Sequence, residues 1–231
     1  MRKNHFNFLF VLLSLLICIL QVNGQNQAII DSLKITNTVE TNEKNLTDNY
    51  LEIANEYSHY LIDSTFLYLD KALVSANNIN YKKGIAEAYF KQSYYQDIKG
   101  EYLKSIESLE KAIALYEELG DSSYLSGCYN NLGVIYSYGI NQKKSLQYFI
   151  KSVNIGEESQ DSFSLAESYS NIAEFYRELK EYNSALKYFK KALEVDSSLY
   201  LIHNVIGWNL ILMGELNKAE EYLEKHKHDS L

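Results

Sequence analysis

The residues able to do chemistry are few, and their spacing does not favour it. Histidine occurs five times. His59 and His203 stand alone. His226 and His228 are two apart, so on a helix their side chains diverge, and structural roles outrank a metal site. The cysteines are Cys18 and Cys128. No phosphate-cradling glycine loop, zinc-type cysteine spacing or nucleophile elbow occurs. The acidic residues read mostly as solvated helix faces. No catalytic set can be named and no cofactor or metal is implied, so the chain reads as non-enzymatic. Binding is the chemistry that remains. Tyrosine occurs 21 times, and its apolar ring with a polar tip suits a contact surface.

The elements that position these side chains are helices. The 231 residues include no proline, against an expectation of roughly a dozen at average usage, and only 10 glycines. Scarce chain breakers argue against a turn-dense β sandwich and for an all-α fold. Apolar residues are 46% and charged residues 23%, an ordinary globular balance. The net charge of −8 disfavours nucleic acid as a partner, since phosphate binding needs clustered Lys and Arg.

Residues 1–24 read as a cleaved signal peptide. Arg2 and Lys3 precede an apolar run from Phe8 to Leu20, too short for an ordinary span of ~20 residues. Val22 and Gly24 supply small residues at the cleavage site. The expected location is the periplasm or the extracellular space, with an uncleaved membrane anchor as the alternative. Cleavage lowers the net charge from −8 to −10 and leaves Cys128 alone, without an internal disulfide. Cys128 then reads as a small buried residue.

The strongest signal is an internal repeat with a forty-residue step. Lys71-Ala72-Leu73, Lys111-Ala112-Ile113, Lys151-Ser152-Val153 and Lys191-Ala192-Leu193 are in register. Leu69, Leu109, Phe149 and Phe189 keep the same step, as do Tyr89, Tyr129 and Tyr169. Tyr129, Leu132, Gly133 and Tyr136 fall on one helical face, and Ser145, Leu146, Phe149, Ser152 and Val153 on a second. Each unit is therefore a helix hairpin. One position of each first helix is small: Ala54, Ser93, Gly133, Ala173 and Gly207. Asp121-Ser122, Asp161-Ser162 and Asp196-Ser197 are expected to start the following helices as N-caps.

These residues resemble the tetratricopeptide repeat (TPR), whose pattern is an aromatic, Leu-Gly and Tyr in the first helix, then Ala, an aromatic and Ala in the second. Tyr129, Leu132-Gly133, Tyr136, Phe149 and Ser152 match, as do Tyr169, Ile172-Ala173, Tyr176, Tyr182, Ala185, Phe189 and Ala192. The resemblance implies a right-handed α-solenoid of tandem hairpins, with units at about 47–80, 86–119, 126–159, 166–198 and 200–231 following a leading or capping helix within 25–46. The first four units are spaced at forty residues and the fifth follows at the family's usual thirty-four. Longer units of this kind resemble the exported arrays of bacterial sensor and signalling proteins, such as histidine kinases and regulator-binding repeat proteins.

In that family the first helices line a concave groove that binds protein or peptide. By that register the groove residues are Leu51, Asn55, Glu87, Phe90, Tyr94, Asp97, Asn130, Val134, Tyr138, Glu174, Arg177, Asn204 and Trp208. Asn55 matches one position of the basic clamp that some members use for a C-terminal carboxylate. The clamp lysines are missing and Leu51 stands where one belongs, which rules that ligand out. An acidic, aromatic groove is expected to prefer an apolar or basic peptide. The resulting expectation is an exported scaffold or adaptor, with a sensory module coupled to a kinase or transcription-regulator partner as the alternative.

Overall fold

The computed structural model describes residues 26–58 and 61–227. The expected signal peptide with Cys18, and His59 and His228, lie outside the described residues. Among the described residues the secondary structure is helical throughout: α1 (26–37), α2 (Glu43–Tyr57), α3 (Ile62–Asn78), α4 (Lys82–Ile98), α5 (Tyr102–Leu119), α6 (Ser122–Ser137), α7 (Gln142–Ser159), α8 (Ser162–Glu178), α9 (Tyr182–Val195), α10 (Leu201–Leu212) and α11 (Leu216–His226). None of these helices is long and apolar enough to cross a membrane. The chain divides into two compact units, one running to Tyr95 and the other starting at Gln96.

In the first unit, Ile30 of α1, Leu51, Ile53 and Ala54 of α2, and Leu69 and Ala72 of α3 form one buried cluster. In the region expected to hold a leading helix, Ile30 is fully buried and Leu33 packs on the same core. Ile29 and Val39 are exposed, and Val39 lies beyond the helix. Asn42 caps α2, its side chain accepting from the backbone N–H groups of Lys44 and Asn45 at 2.9 and 3.3 Å.

The core of the second unit joins Phe149 and Val153 of α7, Tyr169, Ile172, Ala173 and Phe175 of α8, Phe189 of α9, and Ile206 and Leu210 of α10. All five small first-helix positions are buried. Small second-helix positions serve the same close packing. Ser152 hydroxyl donates to the Ser126 carbonyl at 2.8 Å and lies 2.7 Å from the Ser168 hydroxyl, so α6, α7 and α8 meet through satisfied polar groups.

Helix termination explains how the chain dispenses with proline. Gly120, at the end of α5, has φ of 68°, and Gln160 and Lys180 adopt the same left-handed conformation at 56° and 62° after α7 and α8. Such a residue turns the chain out of the helix and lets following N–H groups meet the last carbonyls. Two of the three expected caps form. Asp121 and Asp161 accept from the N–H groups of Tyr124 and Ser164 at 3.5 and 3.2 Å. Asp196 does not cap α10. It follows α9, and its carboxylate accepts from the Ser198 N–H at 2.9 Å, closing a local turn. The shorter step accounts for this: α9 has 14 residues where α7 has 18, and α10 has 12 where α8 has 17.

Asp161 also accepts from the hydroxyls of Ser123 and Ser164, tying the starts of α6 and α8 together. The Ser123 hydrogen bond, first, and those of Ser164 hold its carboxyl below the usual carboxylate range. A depressed native pKa gives stability that is present above the unfolded value and lost as pH falls through the native one. Asp161→Ala is therefore expected to cost about 1 kcal/mol at pH 7, and the gap to wild type should narrow progressively as pH falls below about 4. Urea midpoints at pH 7 and pH 3 measure this. The same change at Asp121, which has only the longer bond to Tyr124, should cost less.

Candidate binding surface

The forty-residue register of Tyr and Lys forms a repeated contact. Tyr129 hydroxyl donates to Glu117 at 3.0 Å while the Lys151 ammonium sits 3.8 Å from the ring centroid. One repeat on, Tyr169 donates to Glu157 at 2.7 Å with Lys191 4.9 Å from its ring. Burial, before the Glu157 contact, pushes the Tyr169 phenol up to about 12. These tyrosines are largely buried and serve packing. Cys128 is fully buried, and burial pushes its thiol far up, so it is a poor nucleophile. Among the described residues no group of three or more His, Cys, Asp or Glu is arranged to hold a metal ion.

The expected contact residues divide by burial. In the first unit Leu51 is buried in the apolar core, so it packs α2 and is not a contact residue. The register places it one step too far round the helix. Asn55 is exposed and Phe90 half-buried. Glu87 pairs with Lys91 at 3.7 Å. Tyr94 keeps 53% of its surface exposed, its ring meeting Tyr95 edge-on at 5.1 Å.

In the second unit Asn130 is buried and accepts from Asn171 Nδ2 at 3.0 Å. It links α6 to α8 and is not available as a contact. Val134 is half-buried against the core. Tyr138 caps the end of α6, 53% exposed, and its hydroxyl donates to Asp97 Oδ2 at 3.4 Å. Asp97 Oδ1 is shielded from solvent and has no hydrogen-bond partner. Burial pushes the Asp97 carboxyl up, opposed by the Tyr138 hydrogen bond. Arg177 is held by Glu174 on the same helix, with Nε 2.8 Å from the carboxylate. On α10, Asn204 is exposed and Trp208 keeps 55% of its surface exposed.

The structure adds side chains the register did not supply. Tyr102, at the start of α5, lies with its ring 5.4 Å from that of Tyr138. Glu178 is near enough for its charge to act on the Tyr138 phenol. Leu201 and Leu212 are exposed on α10 along with Trp208. Their spacing of seven and then four residues puts all three on one helical face, a signal present in the sequence. His203 and His226 come together as well, their rings stacked at 4.0 Å, with Tyr222 hydroxyl 2.8 Å from His203 Nδ1.

The hairpin pattern, its small buried positions and its capped junctions are repeated within the chain. A tetratricopeptide repeat model matches residues 86–119, and a second matches 166–199. The chain carries tetratricopeptide repeats. The TPR fold is also that of its structural neighbours. BtubC (BKLC) from P. vanneervenii superposes with a TM-score of 0.72 at 14% identity, over 91% of this chain and 90% of that one. A signal transduction ATPase with a tetratricopeptide repeat sensor, from Pyrococcus horikoshii, gives 0.71 at 20% identity, over 85% of this chain and 32% of that one. In sequence, the Photosystem I assembly protein Ycf3 of Rippkaea orientalis is 27% identical over 88 residues, 38% of this chain and 49% of that protein. The match thus spans about half the length of that curated relative.

Proposed function

We propose that this TPR chain is an exported, non-enzymatic scaffold that binds another protein or peptide through aromatic residues its first helices expose. One observation carries the reading. Tyr94, Tyr138 and Trp208, all on or at the end of first helices, keep 53%, 53% and 55% of their surface exposed, while the repeated second-helix positions Phe149 and Phe189 are buried. Exposed aromatics with a polar end are favoured anchors at protein interfaces. The TPR fold supports the reading, as an ordered helical surface that needs no chemistry of its own. Export rests on the leader pattern of residues 1–24. The preferred partner segment is apolar or basic.

The test is affinity capture from the source cell's envelope extract with the full chain as bait. The control bait carries Tyr94→Ala, Tyr138→Ala and Trp208→Ala, with folding checked by circular dichroism. A partner retained by the native bait should fall at least tenfold with the control, since anchors of this kind each contribute about 1–2 kcal/mol. Equal retention would place the interface elsewhere. A sensory role is the second reading, favoured by the likeness to a repeat array named as a sensor in the Pyrococcus horikoshii ATPase.

A further inference from the structure

We infer that the cleft between α9 and α11, floored by α10, binds a small aromatic molecule carrying one carboxylate. The cleft holds about 380 Å³, within the roughly 300–1,000 Å³ of small-molecule sites. Leu186 of α9, Ile206 and Leu210 of α10, and Tyr222 of α11 form its apolar part. Trp208 lies two residues from Ile206 and from Leu210, about 200° round the helix, so it points away from the cleft. The site is thus separate from the exposed aromatics above, and the inference does not rest on the protein-binding reading.

The repeat explains the ring. Tyr136 and Tyr148 stack within the α6–α7 hairpin, centroids 5.4 Å apart and planes at 22°. Tyr176 and Tyr188 repeat this in α8–α9 at 5.5 Å and 11°. The next step, of thirty-four residues, carries position 176 to Leu210 and position 188 to Tyr222. The last hairpin therefore keeps one ring of the pair and has a smaller side chain in place of the other, which opens space beside Tyr222. Its hydroxyl lies 2.8 Å from His203 Nδ1 and its ring 4.6 Å from that of His226, so its orientation is fixed. Lys191 lies over the Tyr169 and Tyr188 rings at 4.9 and 5.6 Å. One repeat on, Lys225 takes its position and His203 that of Tyr169. Among the described residues Lys225 makes no ring contact and no ion pair. An aromatic guest supplies a π face to this ammonium and fills the place of the absent tyrosine.

The rim sets the charge. Lys190, Lys218 and Lys225 stand there with Glu215 and Glu221. Lys218 pairs with Glu215 at 2.8 Å. Lys190, like Lys225, has no ion pair among the described residues, which leaves two lysines against Glu221. In a chain of net charge −8 this cleft is locally basic. A neutral ring would leave the excess ammonium unmatched, and a dianion would meet Glu221. A ring with a single carboxylate suits both the space and the charge.

The experiment is a nuclear magnetic resonance titration of the full chain with three probes. 4-Hydroxyphenylacetate has the ring and the charge, 4-hydroxyphenylethanol the ring alone, and cyclohexylacetate the charge without a π face. The first should bind with a dissociation constant of about 1 mM or tighter. It should bind about tenfold tighter than the alcohol and at least about threefold tighter than cyclohexylacetate. Leu210→Tyr puts back the ring that positions 136 and 176 carry, so it should abolish binding while leaving the circular dichroism unchanged. Lys190→Met, at an exposed position of α9, should weaken 4-hydroxyphenylacetate several-fold and leave the alcohol unchanged. No binding of 4-hydroxyphenylacetate, equal binding of all three probes, or a folded Leu210→Tyr chain that binds as wild type does would overturn the inference. So would binding of a peptide ending in Phe by a chain that ignores the free acid, since the cleft would then serve a chain terminus.

Discussion

Gly133→Leu is expected to destabilise the chain by about 3 kcal/mol, at the upper end of what overpacking costs. A Cβ built at Gly133 would lie 2.9 Å from Phe149 Cγ, with two further ring atoms nearer still. The ring cannot move aside easily, because Phe149 is buried and packs edge-on against Phe175 at 6.5 Å. The sequence-based expectation of a tight small position at 133 therefore acquires a specific partner. Gly133→Ala should cost less than half as much. One repeat on, Ala173 occupies the equivalent position with Phe189 in the place of Phe149, both buried, so hairpins of this kind accommodate one methyl group. Gly207→Ala meets Cγ and both methyl groups of Leu223, but that side chain is only half-buried and can rotate away, so the change should cost least. Denaturant midpoints for the three variants, at unchanged m-value, give the order.

Phe149→Ala should cost about 3–5 kcal/mol, since it removes a buried ring from the centre of the second unit's core. Its neighbour Ile150 is exposed, and the same truncation there should fall within about 0.5 kcal/mol of wild type. Gly133→Leu and Phe149→Ala should not add. Once the ring is gone, the leucine side chain introduced at position 133 has a cavity to enter. The double variant should therefore be more stable than the sum predicts by at least about 1 kcal/mol. A double-mutant cycle measures this coupling, and strict additivity would show that Gly133 and Phe149 do not constrain each other.

Much of the fold was legible because repetition fixes a register. Gly133 and Phe149 could be placed on the two helices of one hairpin from spacing alone, and Asp121 and Asp161 as caps from residue type. Asp196 defeats the same rule, because its junction follows the shorter final step and the chain closes a turn there instead of starting a helix. The binding surface was less legible. A register error of one residue turns a side chain by about 100°, enough to move Leu51 from surface to core. Asn130 is polar yet buried, because Asn171 from the neighbouring first helix satisfies it, and no local pattern announces such a pair. Tyr102 belongs to a second helix and meets Tyr138 of the following hairpin, a contact between hairpins that no local pattern announces. The exposed α10 face needed only the helical spacing of Leu201, Trp208 and Leu212.

Site-specific photo-crosslinking tests the central claim most directly. A photoreactive phenylalanine analogue is placed at Tyr138, Trp208, Leu103 or Ile150 in the full chain, and irradiated in envelope extract. Leu103 and Ile150 are exposed on the second helices α5 and α7 of the same unit, which makes them matched controls. Adducts to one partner protein from positions 138 and 208, and none from 103 and 150, are the predicted result. Adducts only from positions 103 and 150 would contradict it and assign binding to the second helices.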